Sequence, residues 1–145
     1  GWIDRMPRLA AIQASGANPF FRSFSESFAT RHRLTAETIA SAIRIGDPVS
    51  YDKAVASIRA THGIVAEVTD DELMAAKRDI DRMGIGCEPA SATTLAGVRK
   101  LALTGRIVCV LTGHVLKDTD AVMKNVAPDQ IKEIDPTLEA VEAAL

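Results

Sequence analysis

Aromatic residues are scarce in this chain, with one tryptophan, one tyrosine and four phenylalanines among 145 residues. Excess positive charge is absent too: 17 basic residues face 19 acidic ones, for a formal charge of −2. A surface that binds nucleic acid needs a basic patch, usually interleaved with aromatics, so no nucleic-acid partner is expected, nor an anionic membrane surface. Only two cysteines occur, Cys87 and Cys109, without CxxC spacing. That excludes a disulfide framework and a cysteine zinc site and predicts buried, reduced thiols. No apolar run reaches the roughly 18 residues of a membrane span, and no signal-peptide layout opens the chain, so the expected location is the cytoplasm. The nine glycines are spread mostly over element ends, so there is no glycine-rich phosphate loop. His32, His62 and His114 fall in different elements, and no His/Cys/carboxylate spacing matches a metal site. Ser91, within Glu88-Pro89-Ala90-Ser91-Ala92, lacks the flanking glycines of a nucleophile elbow and reads as a helix N-cap. By composition and motif, the chain holds no catalytic set of its own.

What is present is an alternation of strand and helix signals, in a length that suits one compact domain. A short apolar run, Arg8 to Gln13, reads as a strand that Gly16, Asn18 and Pro19 break. Phe20, Phe24 and Phe28 recur every four residues, which places three rings on the core face of a helix. Helical signals follow from Thr35 to Ile45 and from near Ser50 to Gly63, then a β-branched alternation, Ile64 to Val68, predicts a strand. Thr69-Asp70-Asp71-Glu72 is a capping box whose helix carries Leu73, Ala76, Ile80 and Met83 to Gly84. Lys77, Arg78, Asp79, Asp81 and Arg82 are expected on its solvated face. A helix from Ser91 to Leu103 leads to a strand from Arg106 to Leu111, and a final helix opens at Asp135-Pro136 with Leu138, Val141 and Leu145 on one side. The fold class is α/β. The most informative stretch is Val108 to Asp118, a buried strand ending in Thr112-Gly113-His114. In open α/β sheets ligands collect beyond the carboxyl ends of strands, which makes this polar hook a candidate contact.

Six blocks, taken in order, resemble the C-terminal part of the threonine synthase family: Pro7-Arg8-Leu9-Ala10, Ala17-Asn18-Pro19-Phe20, the run from Thr38 to Pro48, Glu67-Val68-Thr69-Asp70, Cys87-Glu88-Pro89-Ala90-Ser91-Ala92 and Cys109-Val110-Leu111-Thr112-Gly113-His114. The likeness runs from about Met6 to Asp120, and the Ala-Ile-Arg-Ile-Gly and Leu-Thr-Gly-His blocks are its most specific parts. The resemblance implies an open twisted, mostly parallel sheet flanked by helices, of the tryptophan-synthase-β type and incomplete relative to the parent fold. Residues 1–145 would form the C-terminal portion of that fold, with a helical tail from about residue 121. It also implies pyridoxal phosphate as cofactor and a parent that converts O-phospho-L-homoserine and water into L-threonine and phosphate. The family's cofactor-holding lysine, its asparagine beside the ring hydroxyl and its phosphate loop lie upstream of the matching region, so this chain alone is expected to be inactive.

Carried over by the resemblance are three cofactor-binding positions. Thr112 aligns with the residue at the pyridine nitrogen, where a hydroxyl can donate to an unprotonated ring. Gly113 either lets the backbone approach the ring or makes a turn. Glu88 either lines the substrate side of the ring or is a helix-start carboxylate favoured by the helix dipole. Lys117 matches no catalytic position and is expected at the solvated surface. Val115 and Thr119 depart from the family's usual glycine and proline, so the loop after the strand is expected to differ. The implied partners are a small-molecule substrate, the missing N-terminal portion of the same polypeptide and a second copy in a homodimer. The opening Gly1-Trp2-Ile3, without an initiator methionine, suits a fragment of a longer polypeptide. A dehydratase acting on threonine or serine within the same fold type, and a non-catalytic interaction domain reusing the fold, are the other readings.

Overall fold

The computed structural model describes residues 3–123 and 133–144. Its sheet among these residues has two strands, β1 (Ala10–Ala14) and β2 (Ile64–Val68), paired in parallel with Ala10 opposite Ile64 and Ala14 opposite Val68. Parallel strands need a long crossover. Here it contains α1 (Pro19–Ser25) and α2 (Tyr51–Ala60). After β2 come α3 (Asp70–Arg82), α4 (Pro89–Lys100), a short α5 (Thr119–Met123) and α6 (Leu138–Ala144). The expected tail falls partly on residues 124–132, and Leu145 of its apolar stripe stands apart as well; both lie outside the described residues.

Side chains alternate across a strand, so each face of the pair meets its own helices. Ile12 and Val68 join Leu73, Met74, Ala76 and Ile80 of α3 and Ala90, Ala92 and Ala96 of α4 in one core cluster. Ala11 and Val65, one position out of step, join Phe20, Tyr51 and Ile58 in a second. Helices thus flank the sheet on both faces, as an α/β layer arrangement requires. A Cβ on Gly97 would overlap the Ile12 side chain, so the smallest residue of α4 lets that helix close on β1.

The three-ring face survives in a different backbone. Helix α1 ends at Ser25, and Ser27 and Phe28 take positive φ values of 55° and 63°. The Phe28 ring nevertheless returns to lie 5.3 Å from Phe20 and 5.6 Å from Phe24. Ring burial outweighs the left-handed backbone, which non-glycine residues adopt at a cost.

The capping box at α3 forms as expected: the Thr69 hydroxyl accepts from the Glu72 amide at 3.1 Å, and the Glu72 carboxylate accepts from the Thr69 amide at 2.7 Å. Accepting that amide, helped by Lys100, holds the Glu72 carboxyl below its ordinary value of 4.5. Thr69→Ala is expected to cost about 1 kcal/mol in denaturant unfolding. Because the folded-state pKa is depressed, the Glu72 contribution is present above 4.5 and is lost as pH falls through the lower folded value. The melting-temperature gap between the native chain and Glu72→Ala should therefore narrow in acid, and a gap that widens there would contradict the assignment.

Four expectations need correction. The stretch Thr35 to Ile45 is not a helix: only Ser41–Ile43 makes a single 3-10 turn. Its polar groups are engaged elsewhere, with the Glu37 amide on the Gly16 carbonyl (2.8 Å), the Ile39 amide and Thr38 hydroxyl on the Asp70 carboxylate, and the Thr38 carbonyl taken by Arg44 (2.8 Å). Lys77 is not on a solvated face but 1% exposed, with its ammonium 2.7 Å from Asp81. Residues 106–111 form no strand, and Val108 and Val110 are exposed. β-branched residues favour a strand only where a neighbour completes the ladder, and β1 and β2 pair only with each other among the described residues. Cys109 is accordingly half-buried rather than a core thiol, whereas Cys87 is fully buried, and both are free.

Candidate functional site

Pro89 fits the first turn of α4, where its fixed φ suits the helix and its missing N–H leaves nothing unsatisfied. The helix therefore starts three residues earlier than a cap at Ser91 would allow, and Glu88 takes the N-cap position without capping through its side chain. Ser91 is then inside the first turn. Its hydroxyl turns away from its own helix, accepting the amides of Thr112 at 3.0 Å and Gly113 at 3.2 Å.

Those contacts dock the segment after the exposed run against the α4 entrance. The Glu88 amide donates to the Gly113 carbonyl (2.9 Å), Cys87 and His114 form an antiparallel bridge, and the Val115 amide donates to the Gly86 carbonyl (3.3 Å). Gly113 is packed directly on the Glu88 side chain, and a Cβ there would overlap the carboxylate carbon and Oε1. Absence of a side chain, rather than a left-handed φ, is what the position uses. Val115 needs no glycine-like backbone either, since its Cγ1 fills the space beside Gly86. His114 opens a short 3-10 turn, Val115–Lys117, with Nδ1 accepting the Leu116 amide at 3.2 Å.

Glu88 is 2% exposed. Its Oε1 accepts from the Thr112 hydroxyl at 3.4 Å and from the Lys117 ammonium at 3.4 Å. Oε2 lies 3.2 Å from that ammonium and receives no well-formed hydrogen bond. Lys117 is mostly exposed, as expected, yet its head group reaches back over the buried carboxylate. Burial also pushes the neighbouring Cys87 thiol up, so it stays protonated near neutrality.

The paired segments Ile85–Cys87 and Leu111–His114 together line an open depression of about 290 Å³. The three residues singled out from sequence, Thr112, Gly113 and Glu88, are thus in mutual contact, and Glu88 is buried and not part of the lining. Ser91 is the one that sequence reasoning misplaced; Pro89, as a strong first-turn residue, was the signal that could have moved it off the cap. Chemically the lining combines the Thr112 residue with the polar backbone of the paired 86–88 and 113–115 segments. Among the described residues no cluster of His, Cys, Asp or Glu is arranged to hold a metal ion.

Residues 1–113 match the family model described as "Pyridoxal-phosphate dependent enzyme". The chain is 39% identical over its whole length to the threonine synthase of Methanosarcina acetivorans, of which it covers 37%. It is 43% identical, over 86% of its length, to the threonine synthase of Methanocaldococcus jannaschii and covers 33% of that protein. With the Synechocystis threonine synthase the identity is 40% over 98% of the chain and 37% of the relative. The chain thus spans about a third of the length of these curated relatives. Among solved structures, a threonine deaminase from T.th. shares the fold, with a TM-score of 0.56 at 21% identity, covering 74% of this chain and 39% of that one.

Proposed function

This chain belongs to the pyridoxal-phosphate-dependent enzyme family, and from that membership we propose that it forms the ring-nitrogen edge of the cofactor site in a threonine synthase. The observation that carries the reading is that Thr112 lines the depression while its hydroxyl, among the described residues, is held by two contacts of 3.4 Å, to Ser91 and Glu88. Bonds of that length are weak and leave the hydroxyl able to turn toward a better acceptor. A pyridine nitrogen is such an acceptor. When bound, the cofactor supplies an electron-withdrawing ring, and a neutral hydroxyl partner keeps its nitrogen unprotonated and moderates that pull. Gly113 presents backbone beside the ring, and Glu88 supports both residues from behind.

The fit is to one edge of the cofactor. The rest of the site, including the lysine that holds the group and the loop for its phosphate, would come from the part of the polypeptide that the relatives have and this chain does not span. The reaction proposed for the assembled enzyme is conversion of O-phospho-L-homoserine and water to L-threonine and phosphate. Reduced Cys87 and Cys109 suit a cytoplasmic setting. No helix among the described residues is long and apolar enough to cross a membrane.

Incubated with pyridoxal phosphate, this chain alone should give no borohydride-reducible cofactor absorbance. The longer polypeptide containing it should release phosphate from O-phospho-L-homoserine far faster than it dehydrates serine or threonine. A clear reducible band on the isolated chain would place the cofactor-holding lysine here and sink the division of labour. Preference for serine or threonine would move the enzyme to the dehydratases.

A further inference from the structure

We propose that Ser41 and Asp118 form a latch. It ties the crossover between β1 and β2 to the turn Val115–Lys117 across the start of α4, and its release lets the 113–118 segment lift from residues 86–88 and bare the Cys87 thiol. The Ser41 hydroxyl donates to Asp118 Oδ2 at 2.7 Å, joining residues 77 positions apart. A hydroxyl that donates to a carboxylate makes a stronger bond than one between neutral groups.

The worth of an exposed bond depends on whether its partners are already held, because ordering free side chains and loops consumes most of the gain. On the crossover side the backbone is fixed. The Asp70 carboxylate accepts from the Thr38 hydroxyl at 2.6 Å and from the Ile39 amide at 3.0 Å, and Thr38 Oγ1 accepts the Ala40 amide at 3.2 Å. Ala40 is fully buried in the core cluster that includes Ala90 and Ala92 of α4, so Ser41 leaves this platform at a set place beside the helix start. On the other side, the segment is attached to α4 and its approach through Ser91, through the Val115 amide on the Gly86 carbonyl, and through Lys117 over Glu88. Residues 106–111, just before it, pair with no strand among the described residues, so the segment depends on these contacts and the latch. Lys117 and Asp118 are adjacent, opposite in charge and directed to different elements. One grips the N-cap of α4 and the other the crossover, which clasps the helix start from two sides.

Cys87 reports on whether the segment is down: it lines the depression and is bridged to His114, yet is 1% exposed. In a Cys109→Ser background Cys87 is the one remaining thiol. Its alkylation by iodoacetamide at constant pH should be about threefold to tenfold faster in Ser41→Ala, as expected for the loss of one hydrogen bond. Ser41→Ala changes no residue of the segment, so a faster rate at Cys87 has travelled through the latch. Asp118→Ala should give the same rise, and the double variant no more than either single one, because the bond is already gone. The Leu73 amide, bonded to the Thr69 carbonyl in α3, should keep its native exchange rate. An unchanged alkylation rate in Ser41→Ala, or effects of the two single variants that multiply in the double one, overturns the latch. So does a Leu73 amide that speeds up in step with Cys87, since the bond would then serve overall stability alone. No outcome involves a cofactor, so failure of the latch leaves the cofactor reading standing, and the reverse.

Discussion

Gly113→Ala is expected to dismantle the wall of the depression. The added methyl group would overlap Glu88 Cγ, Cδ and Oε1, and none of these can retreat easily. The Glu88 backbone is tied to the Gly113 carbonyl and to the start of α4, and its carboxylate is buried. Overpacking of this kind costs about 1–3 kcal/mol. Displacing a buried carboxylate from its hydroxyl and ammonium partners adds to it. Denaturant unfolding should register the loss, and amide exchange should speed up at Glu88 and Val115, whose hydrogen bonds close the 86–88 and 113–115 pairing. A substituted chain with unchanged stability and unchanged exchange at these two amides would show that Glu88 has room to move.

The largest loss of stability is expected in the core between α3 and α4. Leu73 is fully buried within the cluster that joins both helices to the sheet. Leu73→Ala removes its packing and leaves a cavity, for about 2–5 kcal/mol and a melting temperature lower by roughly 10 °C. Met83, just beyond the same helix and 69% exposed, supplies the contrast. Its replacement by alanine should change stability by no more than about 0.5 kcal/mol. Equal effects at the two positions would mean that α3 is not packed as described.

Features determined by neighbouring residues were legible from the sequence. The Ile64–Val68 strand appears with the expected bounds, and the Thr69/Glu72 cap forms with both reciprocal bonds, because a cap is closed by residues three apart. The helix signal from Thr35 to Ile45 failed because its backbone answers to distant groups, Gly16 and Asp70 among them. Residues 106–111 carry the composition of a strand and, among the described residues, lack the neighbour that makes one. At the site, family likeness drew attention to Thr112, Gly113 and Glu88, and the fold brings the three into contact. Ser91 was hidden because N-capping and bridging to a remote loop use the same side chain. Only the position of the helix start, set by Pro89, separates the two roles.

The parallel pairing of β1 with β2 has a kinetic side. Ala10 finds Ile64 fifty-four positions further along, so the sheet can close only after the long crossover has been brought round. Non-local pairing of that kind pays its loop-closure entropy before any contact rewards it, and it is correspondingly slow. Helices α3 and α4, joined by a few residues and packed on each other, face no such delay. Refolding should therefore begin in the second half of the described chain, which would offer a preformed surface on which the strand pair assembles last.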